Sequence, residues 1–366
     1  MQSAVHIAGA EPSRLSLGDF QFDLPPELIA QEPAVGRSQA RLLVWDRGSA
    51  ARTHTHVADL ARFVRPGDVF VFNDTKVIPA RLYGRTSAGA AVELLVIWRR
   101  SPHPSPLPEG EGAEWECLGR PSKRLRPGVE LRFADAASAV VCAAHGDGRY
   151  DVTFDTDDVL ALLAAHGEVP LPPYIKRPDG PLPFDRERYQ TVYASQPGAI
   201  AAPTAGLHFT PALLNGLRAV GAATVFVTLH VGPGTFLPVR GDDLNDHVMD
   251  AEWCEIPEAT AARITETRRD GRRIVAVGTT TTRALESSVD AAGTLRAGAR
   301  WADQFIRPGH RFRVIDALFT NFHLPGSTLL ALVSAFAGRE QTLAVYEDAV
   351  RQRYRFYSYG DAMLIQ

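Results

Sequence analysis

The stretch Ile274-Val275-Ala276-Val277-Gly278-Thr279-Thr280-Thr281-Thr282-Arg283 decides the fold. Four apolar residues are followed by a glycine, four hydroxyl side chains and an arginine, the pattern of a buried strand whose loop opens a helix. Further apolar runs predict strands at residues 224–229 and 312–318, and helical periodicity predicts helices at residues 257–270 and 327–337. Strands that alternate with helices predict an α/β fold, a central sheet flanked by helices.

Residues 66–154 have a different pattern, with short β-rich runs separated by Gly, Pro and Asp turns. This pattern predicts an inserted small antiparallel β-barrel domain. The α/β catalytic domain would then comprise residues 18–65 and 155–366, after a flexible leader at residues 1–17. Within the barrel, the proline-rich residues 100–114 favour a disordered loop, to which we assign no function.

The composition is that of an ordinary globular protein, with 45% hydrophobic and 22% charged residues in a chain of 366. The formal net charge of −3 means that a nucleic-acid partner would have to be bound by a local basic patch. The three cysteines form no CxxC pair, so neither zinc nor disulfides are predicted. The scattered cysteines favour a reducing cytoplasm, and because no run approaches about 18 apolar residues, we expect neither export nor membrane insertion.

Four loops combine small residues, hydroxyls and a histidine or arginine at the ends of predicted strands, where ligands of open α/β sheets collect. The first contains Thr204, Gly206 and His208. The glycine permits close backbone approach to a ligand, and histidine has a pKa suited to proton transfer. A tight turn with a hydrogen-bonded structural histidine is the alternative interpretation.

The second loop follows the strand at residues 224–229 and contains His230, Gly232, Gly234 and Thr235. Its G-x-G pattern lacks the third glycine and the following helix of a dinucleotide-binding fingerprint, so the pattern alone is weak evidence of a nucleotide site.

The third and fourth loops each open a helix. Thr279, Thr280 and Arg283 belong to the third, where free amide N–H groups and hydroxyls would converge on a carboxylate. Threonine N-capping is the alternative, although four consecutive threonines exceed what a cap needs. His323 lies on the fourth loop rather than in an apolar stripe, which favours a functional role over packing.

A basic turn in the β-rich part contains Arg120, Lys123 and Arg124, which could hold nucleic-acid phosphates. Solvated surface charge is the competing interpretation. Residues 268–273 form a rival basic cluster, although their position at a helix C-terminus already explains them. Residues 353–361 interleave arginine with aromatic residues and could stack bases or close a pocket, and a packed terminal segment is the alternative.

These motifs resemble the signatures of the S-adenosylmethionine:tRNA ribosyltransferase-isomerases of queuosine biosynthesis. The likeness covers nearly the whole chain from Phe20, except the proline-rich insert. The matching segments are Phe72-Asn73-Asp74-Thr75-Lys76-Val77-Ile78-Pro79-Ala80-Arg81-Leu82, Pro170-Leu171-Pro172-Pro173-Tyr174-Ile175, Tyr189-Gln190-Thr191-Val192-Tyr193, Ala202-Pro203-Thr204-Ala205-Gly206-Leu207-His208-Phe209, Val227-Thr228-Leu229-His230-Val231-Gly232, Thr320-Asn321-Phe322-His323-Leu324-Pro325 and Tyr357-Ser358-Tyr359-Gly360-Asp361-Ala362-Met363.

The resemblance implies an α/β domain that carries an inserted β-barrel, with the active site near their junction. It implies S-adenosylmethionine as the ribosyl-donating co-substrate, and no metal or redox cofactor. The other substrate would be tRNA with a GUN anticodon that carries 7-aminomethyl-7-deazaguanine at the wobble position. The product would be epoxyqueuosine-tRNA, with release of adenine and methionine, and the enzyme would act as a monomer or homodimer.

The sequence departs from the family pattern at three places. Where the family usually has His-x-Met-His-Ser-Glu, this chain has His247-Val248-Met249-Asp250-Ala251-Glu252, so a role of the second histidine does not transfer to Asp250. Thr281 and Thr282 replace a more usual Ser-Val, and Pro233 stands where Ala is common.

The chemistry that the resemblance implies needs a base and an acid. The sulfonium acidifies the ribose 5′-carbon, and a histidine could remove that proton, so His208, His230 and His323 are candidates without an order among them. One of them, or Asp361, would protonate the departing adenine. Tyr189, Tyr193 and Phe209 could face the sulfonium or the base, and core packing is the alternative for these aromatic residues.

Two other functional classes are weighed against this enzyme. A nucleotide-dependent oxidoreductase would need a complete G-x-G-x-x-G at a strand-to-helix turn and an acidic residue about 20 positions later, which the chain lacks. A non-catalytic tRNA-binding module would explain the barrel and the basic turn, but it leaves three histidine-bearing loops without a role.

Overall fold

The computed structural model describes residues 15–97, 114–133, 137–156, 158–236, 244 and 249–366. The strands in this part of the chain are β1 (Arg41–Trp45), β2 (Arg52–His56), β3 (Val69–Asn73), β4 (Thr75–Val77), β5 (Arg81–Thr86), β6 (Ala91–Ile97), β7 (Glu114–Arg120), β8 (Glu130–Phe133), β9 (Ala137–Gly146), β10 (Arg149–Phe154), β11 (Gln196–Ala199), β12 (Ala223–Leu229), β13 (Glu252–Ile256), β14 (Ile274–Val277), β15 (Gly298–Ala302), β16 (Ala317–Asn321) and β17 (Ala362–Ile365). The α-helices are α1 (Val159–His166), α2 (Asp185–Arg188), α3 (Pro211–Ala219), α4 (Glu258–Arg269), α5 (Thr279–Glu286), α6 (Thr328–Ala337) and α7 (Arg339–Arg351), and short 3-10 turns lie at Leu17–Phe20, Pro26–Leu28, Arg37–Gln39, Val57–Phe63, Ser122–Arg124, Thr204–His208 and Pro233–Phe236.

A nine-stranded sheet forms the centre of the molecule, in the order β15-β13-β12-β3-β14-β16-β17-β1-β2. Its four central strands, β12, β3, β14 and β16, are parallel. Successive residues of β3 face opposite sides: Val69 and Val71 pack in one core cluster with residues of α4, α6 and α7, whereas Phe70 and Phe72 pack in another with residues of α3. The sheet is therefore covered on both faces, which confirms the predicted α/β class.

Six strands form a separate closed barrel in the order β10-β7-β6-β5-β8-β9, with every pair antiparallel. Helix α1 contributes Val159, Leu162 and Leu163 to the barrel core. Asp158 accepts a hydrogen bond from the Ala161 N–H at 2.8 Å and caps this helix, as expected for an acidic residue at a helix start.

The predicted domain boundaries differ from those of the barrel. Strand β3, which the sequence analysis assigned to the insert, lies in the middle of the central sheet because it is apolar on both faces. The barrel strands begin at Arg81 rather than at residue 66, and α1 packs with the barrel although it follows residue 154. The division of the remaining chain into two domains stays a prediction. Residues 100–113 of the proline-rich insert lie outside the described residues, and Glu114 begins β7.

Two further predictions need correction. The strand expected at residues 312–318 is observed at Ala317–Asn321, because the Glu286 carboxylate accepts the N–H groups of Arg313, Val314 and Ile315 at 2.9 to 3.3 Å and holds them out of the sheet. Part of the expected leader is packed: Leu15 and Leu17 lie against the main core. Residues 1–14 lie outside the described residues.

Candidate functional site

The carboxyl ends of the central strands bring the predicted loops together. The parallel strands β12, β3, β14 and β16 end at Leu229, Asn73, Val277 and Asn321, on one edge of the sheet. Strand β17 runs antiparallel to β16, so its first residue, Ala362, lies at the same edge. Because each loop leaves from this edge, the side chains that follow the strands converge.

A cleft of about 630 Å³, a volume that includes its open mouth, lies at this edge. It is lined by Tyr174, Tyr189, Ala201, Ala202, Thr204, Ala205, Val231, Gly278, Thr279, Thr280, Arg283, Thr320, Asn321, His323, Leu329, Tyr357 and Ser358. All four predicted loops contribute to this lining, together with the segment before β17.

The third loop places a helix N-terminus in the cleft. Gly278 has φ +94°, a conformation that favours glycine, and α5 begins at the next residue. Thr279 and Thr280 line the cleft, whereas the hydroxyls of Thr281 and Thr282 donate to the carbonyls of Val277 at 2.7 Å and Gly278 at 3.1 Å. The backbone N–H groups of the first turn therefore form a site suited to a carboxylate.

Arg283 is largely engaged by the protein. It forms a buried ion pair with Glu252 and donates a second hydrogen bond to the Ala302 carbonyl at 3.2 Å. Glu252 also accepts the N–H of Gly232 at 2.9 Å, so the pair fixes the second loop beside the cleft. The Nε of Arg283 is buried without a hydrogen-bond partner.

His323 is the candidate histidine that lines the cleft. Its Nε2 lies 3.0 Å from the hydroxyl of Thr320, its backbone N–H donates to the Tyr346 hydroxyl, and its Nδ1 is buried without a hydrogen-bond partner. Burial lowers the pKa of His323 to about 3, so the ring is neutral near pH 7. A neutral imidazole with a free ring nitrogen can accept a proton from a bound molecule.

His208 and His230 lie outside the described lining of the cleft. The Nε2 of His208 is 3.3 Å from the Asn321 amide nitrogen, and its ring faces a smaller neighbouring pocket. The ring of His230 stacks on Trp253 with 5.0 Å between ring centroids, and its Nδ1 is 2.7 Å from the Thr75 hydroxyl. Burial lowers the pKa of each to about 4. Catalytic roles for both remain predictions, and the geometry favours His323.

These three histidines predict a loss of stability in mild acid. The unfolded chain takes up protons as the pH falls through about 6.5, whereas the folded rings stay neutral until about pH 4 or below. Stability is therefore full above pH 6.5 and falls as the pH is lowered, by on the order of 1–2 kcal/mol per histidine at pH 5.

Urea unfolding between pH 7.5 and 5 measures this loss. His230→Asn should reduce the slope against pH and the exposed-site control His166→Asn should not; a flat profile in the wild type would contradict the assignment.

Several residues predicted to bind a ligand take part in packing contacts, and their roles in binding stay predictions. The ring of Tyr193 lies 5.0 Å from Phe72, and Phe209 packs at 4.9 Å against the same ring. A Cβ on Gly206 would lie 2.1 Å from the Tyr193 hydroxyl, so the glycine is required by this packing. These contacts agree with core packing, the alternative interpretation of Tyr193 and Phe209.

Asp361 is buried and lies outside the described lining of the cleft. Its two carboxylate oxygens accept the N–H groups of Arg41 at 3.0 Å and Arg355 at 2.8 Å, which joins β1 to the segment before β17. A role as an acid stays a prediction, and these contacts indicate a structural function.

The segment before β13 contacts the barrel through Asp250, which accepts a hydrogen bond from Arg149 of β10 at 3.1 Å. A Cβ on Gly234 would lie 2.8 Å from the Asp250 carboxylate, so the glycine permits this approach. Asp250 thus lies between the second loop and the barrel. The side chain of Thr235 lies outside the described part of the chain.

Two polar residues of the cleft, Asn321 and Tyr174, were not singled out from the sequence as site residues, whereas Tyr357 and Ser358 belong to residues 353–361, which were expected to stack bases or close a pocket. Asn321 donates to the Tyr357 carbonyl at 3.0 Å, and its Oδ1 is buried without a hydrogen-bond partner. The hydroxyls of Tyr174 and Ser358 are hydrogen-bonded to each other. Asn321 could have been found because it stands two residues before His323, at the end of a strand.

The basic turn lies in the barrel between β7 and β8. Arg120 pairs with Glu93 of β6 through two hydrogen bonds of 3.1 and 2.9 Å, and Arg124 donates to the Ala91 carbonyl. Lys123 is exposed. Glu93 partly neutralises the turn, and Lys123 is the side chain best placed to meet a phosphate.

The described residues contain no helix long and apolar enough to cross a bilayer, and no group of three or more His, Cys, Asp or Glu side chains placed to hold a metal ion.

A buried mixed sheet with four parallel central strands, an attached closed barrel and a polar cleft at the strand ends define a class: α/β enzymes that bind a small polar substrate at the carboxyl edge of the sheet. The family model described as "Queuosine biosynthesis protein" matches residues 17–365. The chain therefore belongs to this family.

Similar proteins agree with this assignment. The chain is 52% identical over 353 residues to a protein of Anaeromyxobacter sp. (strain Fw109-5) named S-adenosylmethionine:tRNA ribosyltransferase-isomerase, covering 96% of this chain and 99% of that one. A protein of the same name from Citrifermentans bemidjiense is 52% identical over 351 residues, covering 95% and 99%. The crystal structure of S-adenosylmethionine tRNA ribosyltransferase from Thermotoga maritima matches with a TM-score of 0.53 at 37% identity, covering 95% of this chain and 100% of that chain.

Proposed function

We propose that this enzyme transfers and isomerises the ribosyl group of S-adenosylmethionine onto 7-aminomethyl-7-deazaguanine at the wobble position of tRNA with a GUN anticodon. The products are epoxyqueuosine-tRNA, adenine and methionine. The names of relatives at about 50% identity support the reaction. The observation that carries the proposal is the single cleft to which all four loops contribute. The enzyme works in the cytoplasm, where tRNA is modified, as a monomer or homodimer.

The cleft offers a separate contact for each part of the sulfonium nucleoside. The first turn of α5, at Thr279 and Thr280, suits the methionine carboxylate, because the N-terminus of a helix favours an anion. The rings of Tyr174, Tyr189 and Tyr357 line the same cleft and suit the sulfonium or the adenine, since aromatic faces attract cations and stack on purines.

His323 is the base of this reaction. Its Nδ1 takes the proton from the ribose 5′-carbon next to the sulfonium, and the electron pair forms a double bond between C4′ and C5′ as the C4′–O4′ bond breaks. The O4′ electrons form a carbonyl at C1′ as adenine leaves with the electrons of its glycosidic bond and takes up a proton. The aminomethyl nitrogen of the modified guanine then adds to C4′ and loses a proton, the electron pair returns to C5′ and forms a bond to C1′, and the C1′ carbonyl becomes an alkoxide that attacks C5′. Closure of the epoxide expels methionine as a neutral thioether, so no external oxidant or reductant is needed.

The test is release of adenine, followed by chromatography, when the protein is mixed with S-adenosylmethionine and tRNA that carries the aminomethyl base. We expect adenine and methionine in equal amounts, and neither with tRNA that lacks the modified base. RNA binding without adenine release would favour a non-catalytic module. Consumption of a nicotinamide nucleotide would favour an oxidoreductase.

The basic turn of the barrel supplies a contact to tRNA. Replacing Lys123 and Arg124 together by glutamate should weaken tRNA binding by about tenfold or more and flatten its dependence on salt, because fewer counterions are released. Filter binding over a salt series measures both quantities. The paired control is Arg268→Glu with Arg269→Glu at the end of α4. Equal affinities of the Lys123/Arg124 variant and the wild type would remove the turn from the tRNA site.

A further inference from the structure

A second, smaller pocket adjoins the catalytic cleft. It encloses about 270 Å³, including its open mouth, and the side chains that matter here are those of Arg37, Arg188, His208 and Tyr359. Ser358 lines both this pocket and the cleft, so the two share a wall. The reaction proposed above uses none of Arg37, Arg188 or Tyr359.

The pocket carries positive charge without a matching carboxylate. Arg37 donates to the carbonyls of Leu207 at 3.1 Å and Glu187 at 3.0 Å, and Arg188 donates to the carbonyls of Ala34 and Val35. Within the described residues neither guanidinium forms an ion pair with a carboxylate. The Glu187 side chain, the acidic neighbour of Arg37, is exposed. Burial and the like charge of Arg188 lower the pKa of Arg37, and the charge of Glu187 only partly offsets them.

Polar donors of the pocket are left unused. The Nε of Arg188 and the hydroxyl of Tyr359 are both buried without a hydrogen-bond partner, and Tyr359 is only 3% exposed. A buried donor without a partner is costly, on the order of 1–3 kcal/mol, so such groups mark a place where a ligand supplies the acceptor. Two cations and two unused donors fit an anion with several oxygens.

We propose that this pocket binds a backbone phosphate of the tRNA anticodon loop, next to the base that enters the cleft. The inference rests on the proposed function, because it requires the modified base to occupy the adjoining cleft. A phosphate is joined to its base through the sugar, so a base in the cleft places its phosphates nearby, and guanidinium groups bind phosphate well. Val35, whose carbonyl Arg188 holds, is 92% exposed and offers an apolar contact to a neighbouring nucleoside.

The test compares two anticodon stem-loop RNAs that carry the aminomethyl base. One has an ordinary backbone. The other has an uncharged methylphosphonate in place of one phosphate next to this base, and it is made in two versions, one for the 5′ phosphate and one for the 3′ phosphate. Fluorescence anisotropy measures their affinities for the wild type, Arg188→Gln and Arg188→Lys. Arg186→Gln is the matched control, because Arg186 is an exposed arginine on the same helix, α2.

For the ordinary RNA we expect Arg188→Gln to weaken binding by about tenfold and to lower the salt slope by about one, with Arg188→Lys in between. One methylphosphonate should weaken binding to the wild type by a similar factor but cause no further loss in Arg188→Gln. If Arg188→Gln instead weakened binding of both RNAs equally, Arg188 would only support the fold of the pocket and the proposal would be wrong. Unchanged affinity of the variant would also overturn it.

The methionine carboxylate of S-adenosylmethionine is the other anion that could occupy this pocket, and equilibrium dialysis tests it. The affinity for S-adenosylmethionine should be the same in the wild type and in Arg188→Gln. Weaker binding of S-adenosylmethionine to Arg188→Gln, with unchanged affinity for RNA, would assign the pocket to that carboxylate and overturn the proposal. The RNA measurement needs no turnover, so absence of adenine release by the wild type would refute the proposed function separately.

Discussion

His323→Ala is expected to lower the single-turnover rate of adenine release by about 10²–10⁴-fold, the range contributed by a positioned general base. The reason is geometric: of the three candidate histidines, His323 lines the cleft and has a ring nitrogen without a hydrogen-bond partner. Because its pKa lies near 3, its neutral form is fully populated at neutral pH, and the rate should show no inflection from this ring between about pH 5.5 and 7.5. Rapid-quench measurements with saturating tRNA and S-adenosylmethionine give this rate.

Three controls accompany this variant. His166→Ala removes an exposed histidine at the end of α1 and should leave the rate unchanged. Thr320→Val removes the hydroxyl 3.0 Å from Nε2 and should cause a smaller loss, because it frees the ring rather than deleting it. His208→Ala acts through Asn321 and should also cost less. A His323→Ala rate within about threefold of the wild type would exclude this histidine as the base.

Glu252→Ala is expected to lower the free energy of unfolding by about 3–5 kcal/mol, because it leaves the buried guanidinium of Arg283 without its counter-charge. Glu252 and Arg283 are 4% and 5% exposed, and Glu252 also holds the Gly232 N–H. The variant should in addition weaken binding of S-adenosylmethionine, since the second loop and α5 both border the cleft. Urea denaturation and equilibrium dialysis measure the two effects.

The interaction itself is isolated by a double-mutant cycle. Glu252→Ala combined with Arg283→Ala should cost clearly less than the sum of the single changes, because no buried charge is left unpaired. Glu255→Ala is the matched control: it removes an exposed glutamate from the same strand, β13, and should change stability by no more than about 1 kcal/mol. Additive costs would show that the two side chains act independently.

The sequence was most informative where a local pattern determines the structure. The apolar run that ends at Gly278 predicts both β14 and the start of α5, because a strand buried on both faces and a glycine at positive φ leave few alternatives. The four loops were identified as ligand-binding for the same reason: loops that leave parallel strands must meet at one edge of the sheet.

Long-range packing was not predictable from local pattern. Strand β3 directly precedes the β-rich runs that form the barrel, and its pairing with β12 and β14 places it in the central sheet instead. Tyr193 has an aromatic ring of the kind that contacts a sulfonium or a purine, yet this ring packs beside Phe72. His230 and His323 follow strands in the same way, and the difference between them is the stacking of His230 on Trp253, a residue 23 positions later in the chain.

The central claim is that the cleft at the strand ends transfers the ribosyl part of S-adenosylmethionine. The most direct measurement is mass spectrometry of tRNA that carries the aminomethyl base, after incubation with the protein and S-adenosylmethionine labelled with ¹³C in the ribose. We predict that the labelled five-carbon group is attached to the aminomethyl nitrogen of the wobble base. A base that stays unmodified, or that gains only an unlabelled methyl group, would contradict this account.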